Sequence, residues 1–329
     1  MKKIIKIVQI FKVRFPEYII CKIIIYIFRK LNKYSLNHRN MFVRPIRIIT
    51  KHTDSMVKKY IFSKYKEEIF NKFEKINSEE EQQPNKIIWT AWFQGESNAP
   101  SSIRYAIDSI KRHAQEYRVI VITNENLKQY IDVPNHIEIA IQQKKISLAH
   151  YADWIRLKLL SEYGGVWLDA TSYMVKPLPE KIWQYDLLTW NEMIDFTGEN
   201  IYAGIPFVEH FNNGFLVAKK NNMFYRFALE ITEKLLMDPI LTIDYFSNFK
   251  AYLVAFEKIP LFQEQCKRMD PIAENGFLVK QYWNAQIEDW IKSEFQGDRS
   301  IFFNLIYKEV WNEKCGEKTT VQQFLIDNY

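Results

Sequence analysis

The sequence predicts an α/β fold: a parallel sheet with helical crossovers, a helical and basic N-terminal region before it, and a mostly helical C-terminal part after it. Three observations predict this. Beyond Pro84, short apolar runs alternate with amphipathic stretches of helical length. The segment "SLAHYADWIRLKLLSEYGGVWLDAT", Ser147 to Thr171, reads as a buried helix that stops at a glycine pair and enters a strand. The chain has 329 residues, 47% hydrophobic and 26% charged, which is an ordinary globular composition for one large domain or two small ones.

The N-terminal region comes first. Residues 1–50 hold twelve Lys/Arg and one acid, Glu17, a net +11. The remainder then holds 33 bases and 38 acids, a net −5. The stretch "IIKIVQIFKVRFPEYIICKIIIYIFRK" is apolar as well as basic. Lys12, Arg14 and Lys22 interrupt it, so no run reaches the roughly 18–20 residues of a membrane span. It does not end in a small-residue cleavage site. Two readings follow: a segment lying on an anionic membrane surface, or a basic helix packed on the main domain. The polar stretch "SKYKEEIFNKFEKINSEEEQQPN" reads as a helix ending in a linker. That sets a boundary between residues 1–84 and a main domain of 85–329.

The main domain opens with "KIIWTAWFQG" as a buried strand, then "PSSIRYAIDSIKRHAQ" as a helix capped by Ser101 or Ser102. "YRVIVIT" is a strand, "NENLKQYI" a short helix capped by Asn124, and "DLLTW" and "GFLVAK" are strands. "NNMFYRFALEITEKLLMD" is a helix capped by Asn221 or Asn222, and beyond Asp244 the pattern is mostly helical. Strand–helix alternation of this length implies a parallel sheet.

Composition excludes several functions. Glycine numbers only 9, and neither GxGxxG nor GxxxxGK[ST] occurs, so dinucleotide and P-loop chemistry lose their main support. Cys21, Cys266 and Cys315 form no CxxC pair, and read as reduced thiols of a cytosolic protein. The six histidines show no HxxxH, which argues against zinc. A body of −5 would repel phosphate backbones, so no nucleic acid is expected as a partner. Aromatics at 16% suit a deep core or stacking sites for rings and sugars.

On a helical wheel, Leu148, Ala152, Ile155, Leu159 and Tyr163 make an apolar face, and His150, Tyr151, Lys158, Ser161 and Glu162 a solvent face. Asp153 and Arg156 fall at the edge of the buried side, three residues apart, where they can meet. Gly164 supplies a left-handed stop. Asp169 then lies at the carboxyl end of the strand "VWLD", where ligands of open α/β sheets bind. A buried ion pair is rarely a gain in stability, so two acids and an arginine converging there point to function.

The block "AHYADWIRLKLLSEYGGVWLDAT" resembles the Asp–Arg–Gly-Gly–Asp core of glycosyltransferases with a DXD-type sugar-binding region, and more narrowly their bacterial capsular polysaccharide synthesis branch. "KIIWTAWFQGESNAP", "SIRYAIDSIKRH" and "NNGFLVAKKNN" are similar to further blocks of that branch. The resemblance runs from about Lys86 to beyond Lys220 and implies a GT-A fold, a nucleotide-sugar donor, UDP-sugar by expectation, and Mn²⁺ or Mg²⁺. By that resemblance Asp169 holds the metal against the donor diphosphate. Asp153 contacts donor sugar or ribose hydroxyls, and Arg156 steadies the donor and the acids. Trp89, Trp92, Gln94 and Gly165 join them around the nucleotide-sugar, though a strand tryptophan equally suits the core. The second acid of the motif is Thr171 here, a weak metal ligand and a further donor contact. The late His-Lys-Leu block is reduced to "FFNLIYK" without histidine. The Asn212-Asn213-Gly214 stretch reads as an ordinary turn, with a frame for the acceptor side as the alternative, and Glu192, Asp195 and Asp244 read as spare acids.

The resemblance implies a hexosyltransferase-type enzyme of capsule, lipopolysaccharide or exopolysaccharide biosynthesis. Retention at the anomeric carbon, a lipid-linked or growing polysaccharide acceptor, and a cytoplasmic site at the inner face of the cell membrane go with it. The alternative is a non-catalytic, membrane-associated assembly protein whose metal site has decayed through Thr171.

Overall fold

Ile, Val and Trp dominate the runs that become β1 (Ile87–Ala91), β2 (Arg118–Ile122) and β3 (Gly165–Leu168). Such side chains suit a pleated surface covered on its faces. A computed structural model describes residues 16–34, 42–76, 82–197 and 211–329. Parts of the basic stretch (1–15 and 35–41) and of the polar linker (77–81) lie outside the described residues. Contacts divide the chain into two units. The first takes residues up to 76 and 226–267; the second takes 82–196, 211–225 and 268–329. The sequence boundary at 84/85 therefore separates the N-terminal helices from the strands, while contacts group those helices with 226–267.

In the second unit β4 (Ser172–Met174) leaves the main sheet, and β5 (Leu188–Trp190) and β6 (Asn212–Ala218) complete it in the order β2-β1-β3-β6-β5. β1 runs parallel to β2 and to β3. The crossovers are the Ser101–His113 helix and the run of helices ending in Leu148–Tyr163. β6 is antiparallel to both β3 and β5. The sheet is therefore mixed, not parallel throughout. Between β3 and β6 the described residues form β4, a 3-10 turn, Glu180–Gln184, and β5, with no α-helix among them. β4 pairs with β7 (Phe302–Asn304), which brings the chain after Asn304 beside Thr171: Leu305 N–H donates to Thr171 O at 2.8 Å. Trp89, Trp154, Trp167 and Trp190 fill the core of this unit.

Local signals differ from expectation in places. The Ser101–His113 helix starts at Pro100, with Ser101 and Ser102 already inside the first turn. The short helix is Leu127–Tyr130, because Thr123 and Asn126 tie Asn124 and Glu125 into a turn before it. Asn222 does cap Met223–Leu236, its Oδ1 accepting from Tyr225 N–H at 3.1 Å. Gly164 has φ +70 and ψ −161, a glycine conformation outside the left-handed helical region. A Cβ at Gly164 would lie 2.7 Å from Lys220 N, and one at Gly165 2.7 Å from Ile87 O. The glycine pair lets helix, β1 and β6 approach closely.

The first unit is helical. Helix Pro16–Tyr34 packs on Val43–Tyr65, which continues through a π turn, Lys66–Phe70, into Asn71–Glu74. Helix Ser247–Lys258 packs on Val43–Tyr65 as well. Two buried carboxylates organise this unit. Asp238 takes hydrogen bonds from Tyr65 (2.5 Å), Lys64 (2.7 Å) and the backbone of Ile240. Asp244 takes them from Lys250 (2.7 Å) and Tyr18, and Lys250 also pairs with Asp54 at 2.7 Å.

Candidate functional site

The helix Leu148–Tyr163 begins at Ser147, whose Oγ accepts from His150 N–H. It is buried nearly all round, unlike the two-faced helix the wheel implies. Leu148, expected inside, is 59% exposed, while His150 and Ser161, expected outside, are buried. The helix lies against β3 and β6 and takes polar residues inward where the site needs them. Asp153 and Arg156 are two of these, at 8% and 7% exposure.

Arg156 is the hub. Nη2 lies 3.5 Å from Asp153 Oδ1 and Nη1 lies 3.3 Å from Asp169 Oδ1. Nη1 also donates to Asn213 O at 2.6 Å, and Nε to Ala152 O at 3.3 Å. The guanidinium plane sits 5.0 Å from the centre of the Trp167 ring. Trp167 in turn donates its indole N–H to Asp169 Oδ1 at 2.9 Å. Asn213 Nδ2 donates to Asp153 Oδ1 at 2.8 Å. One planar fork thus spans two carboxylates from two different nitrogens.

Asp153 is raised above the ordinary carboxylate range. Burial is the main cause, and the nearby Asp169 charge adds to it. Arg156, His150 and the Asn213 hydrogen bond oppose it. Asp169 is different. Its side chain is 34% exposed, and both the Trp167 hydrogen bond and the Arg156 contact fall on Oδ1.

These residues meet at one edge of the sheet. β1 and β3 are parallel, so Trp92 and Gln94, just past β1, and Asp169, just past β3, share the carboxyl edge. β6 runs the other way, so its first residues reach the same edge: Asp169 N–H donates to Gly214 O at 3.0 Å. The Asn212-Asn213-Gly214 stretch is therefore the buried start of β6, not a turn. Asn213 is a site residue that the sequence reading missed in that role. Its signal was an Asn pair opening an otherwise apolar strand. Asn213 Oδ1 and the Trp92 indole N–H are buried without a hydrogen-bond partner, and Trp92 stacks edge-on against Tyr307.

Two expected donor contacts fall away. Trp89 is fully buried, packed on Tyr130 and Tyr163, and its indole N–H is satisfied by Gly164 O at 2.9 Å. It is a core residue. Gly165 opens β3, at the end opposite Asp169 and about 13 Å from it at the usual strand rise. Its φ of +104 and its contact with Ile87 O give it a packing role. Gln94 is exposed and Thr171 is partly exposed just past Asp169. Of the spare acids, Asp244 belongs to the first unit and is held by Tyr18 and Lys250.

Lys280, from the C-terminal part, feels the Asp169 charge, and Lys308 lies near enough to Lys280 to act on it. Lys280, on helix Leu278–Tyr282, remains open to solvent. Enough protein surrounds it that partial dehydration lowers its pKa from the ordinary lysine value. The Asp169 carboxylate opposes that shift and Lys308 reinforces it. Lys308 follows Tyr307 in the block "FFNLIYK".

The comparisons can now be set beside this geometry. The family described as capsular polysaccharide synthesis protein matches residues 37–324. The chain belongs to that family. It is also distantly related to glycosyltransferases. The O-glycosyltransferase braB of Annulohypoxylon truncatum is 28% identical over 165 residues, 46% of this chain and 38% of its own length. The glycosyltransferase afumC of Aspergillus fumigatus is 27% identical over 163 residues, 44% of this chain and 39% of its own. The chain thus spans about two-fifths of the curated relatives it matches. Among solved structures, the PaToxG glycosyltransferase is similar over 66% of this chain and 83% of its own, at a TM-score of 0.35 and 16% identity. That likeness is too distant to carry any statement about the site.

Proposed function

We propose that this member of the capsular polysaccharide synthesis protein family is a glycosyltransferase of GT-A type. It moves a sugar from a nucleotide-sugar, UDP-linked by expectation, to a lipid-linked or growing polysaccharide acceptor. The observation that carries the reading is the Asp153–Arg156–Asp169 triad at the carboxyl edge of β1 and β3, with the Asp169 side chain a third exposed. Trp92 and Asn213 support it, since each holds a buried polar atom with nothing in the protein to satisfy it.

The oxygen donors at this edge suit a hard cation such as Mn²⁺ or Mg²⁺. Among the described residues no three acids or histidines form a metal cluster, and Asp153 is turned to Arg156 and Asn213. Asp169 Oδ2 and the Thr171 hydroxyl would therefore hold the cation jointly with the donor diphosphate, which suits an ion that keeps few protein ligands. When bound, the cation would neutralise charge on the leaving diphosphate.

The protein's own part is positioning and charge. Arg156 fixes Asp169 through Oδ1, which would leave Oδ2 for the cation. Asp153, raised by burial, offers donor hydroxyls a carboxyl group. Lys280 and Lys308 supply positive charge for a diphosphate from the C-terminal side. Trp92 offers an N–H to a base or sugar oxygen. Front-side attack guided by the leaving diphosphate, with retention, would need no protein nucleophile.

The test is turnover of a panel of UDP-sugars with added Mn²⁺ or Mg²⁺. Asp169→Asn should lower turnover by orders of magnitude with an unchanged melting curve. Wild-type turnover in EDTA would remove the metal from the reading. The absence of a three-acid cluster among the described residues favours one rival, a non-catalytic assembly protein. That rival takes over if no donor is bound by titration and none is hydrolysed.

A further inference from the structure

Large apolar side chains that stay exposed are concentrated on one helix. Five of the thirteen among the described residues belong to Pro16–Tyr34: Ile20, Ile23, Tyr26, Ile27 and Leu31. Ile20, Ile23, Ile27 and Leu31 follow a spacing of three, four and four, so they form one stripe along the helix. Scattered exposed hydrophobics need no explanation, but a continuous stripe does.

The opposite face is locked. Tyr18 and Ile25 are buried, and Tyr18 donates its hydroxyl to Asp244 Oδ2. Lys22 Nζ lies 3.9 Å from the same carboxylate, which Lys250 also holds. Burial lowers the Lys22 pKa, and Asp244 pulls it back. Asp244 stays below the ordinary carboxylate range because Lys250, Tyr18 and Lys22 outweigh its burial. Rolling the helix to hide the stripe would break this cluster, so the stripe stays outward.

Lys30 borders the stripe, exposed and over the Tyr26 ring at 5.7 Å, while Arg29 is exposed on the Lys22 side of the helix. The helix sequence carries Lys22, Arg29, Lys30 and Lys33 against Glu17 alone, and Glu17 pairs with His52 at 2.8 Å. A second copy of the same face would bring like charges together, whereas an anionic surface is complementary. No helix among the described residues is long and apolar enough to cross a membrane.

We propose that this stripe seats the protein on an anionic lipid bilayer. Ile20, Ile23, Ile27 and Leu31 enter the boundary between headgroups and acyl chains, Lys30 meets lipid phosphates, and the net positive charge of the helix adds longer-range attraction. The inference is independent of the transfer reading, because its test measures binding and not turnover.

The full chain would be co-sedimented with phosphatidylcholine vesicles, with and without phosphatidylglycerol. The wild type should pellet with the anionic vesicles and far less with the neutral ones, and raised salt should weaken the difference. Ile23→Glu with Ile27→Glu should lower binding about tenfold or more, since it puts charge into the apolar stripe. Lys30→Glu should lower binding severalfold on anionic vesicles alone. Ile23, Ile27 and Lys30 are exposed and lie away from the packed face, so melting should not change. Equal pelleting of wild type and both variants would overturn the proposal, as would a wild type that ignores anionic vesicles. A wild-type dimer in light scattering that the isoleucine variant splits would make the stripe a contact between copies instead.

Discussion

Arg156→Met tests the site most directly. The guanidinium stands 3.5 Å from Asp153 and 3.3 Å from Asp169. Removing one partner of a buried pair costs about 3–5 kcal/mol. Asp169 is a third exposed and can rehydrate, so most of the penalty falls on Asp153, and the lower end, about 3 kcal/mol, is expected. For a domain of this size that is a melting loss of roughly 6–12 °C. The loss should depend on pH. Asp153 already titrates above its ordinary value of 3.8 because burial disfavours its charge, and Arg156 is the main opposing influence. Without Arg156 the folded-state value rises further, so the folded state holds its proton where the unfolded chain has lost it. Stability then falls as pH rises from 3.8 through the raised value, and the deficit of the variant shrinks on acidification. Calorimetry at about pH 5 and about pH 8 measures both effects. Asp153→Asn in the Arg156→Met background should recover part of the loss by removing the unpaired charge. A melting change under about 1 °C, or one equal at both pH values, would refute this account of the triad.

Three further substitutions probe the other features. Trp92→Phe deletes an N–H that no protein group accepts, so melting should hold while donor affinity in calorimetric titration drops about two- to tenfold; unchanged affinity would leave Trp92 as packing alone. Asp244→Asn should cost about 3–5 kcal/mol in urea unfolding at neutral pH, because Lys250 loses a buried partner. Asp244 is held below its ordinary 3.8, so its contribution exists above that value and vanishes as pH falls through the folded-state value; a deficit that persists in strong acid would contradict the assignment. Gly165→Ala places a Cβ 2.7 Å from Ile87 O at φ +104 and should destabilise by about 1–3 kcal/mol or more, with unchanged urea stability as the refuting result.

Much of the site was legible because it is local. Asp153, Arg156 and Asp169 lie within seventeen residues on a helix, a glycine pair and a strand, and spacing alone brings them together. The strand runs were legible for the same reason. What failed was what depends on other parts of the chain. The sheet turned out mixed because nothing local says that the strand beginning at Asn212 returns antiparallel. Asn213 was read as a turn residue because Asn-Gly pairs favour turns, and only its pairing with Asp153 shows otherwise. Trp89 and Trp92 look alike in sequence, yet one points into the core and the other sits past the strand end. Lys280 reaches the site through β7 and its pairing with β4, a long-range contact with no local signature.

Among the described residues, the charge clusters around Asp244 and Arg156 differ in how their own charged groups are met, while unpartnered polar atoms occur in both units, at Ser247 and Asn248 as at Asn213 and Trp92. In the first unit, Asp244 is met by Lys250, Tyr18, Lys22 and the Phe246 N–H, and Lys250 also meets Asp54. Its acceptors are taken up from several helices, which is what a tether requires. In the second unit, Arg156 is as fully engaged, but its surroundings are not. Asp169 stays a third exposed, Asn213 Oδ1 and Trp92 Nε1 lack partners, and Asp153 is held above its ordinary pKa. A cluster serving stability alone would gain by satisfying those atoms or by replacing the charges with packed hydrophobics. Unmet polar groups gathered at one sheet edge instead pass their cost to whatever binds there, and a polyhydroxylated sugar carrying a diphosphate supplies the donors and acceptors they lack.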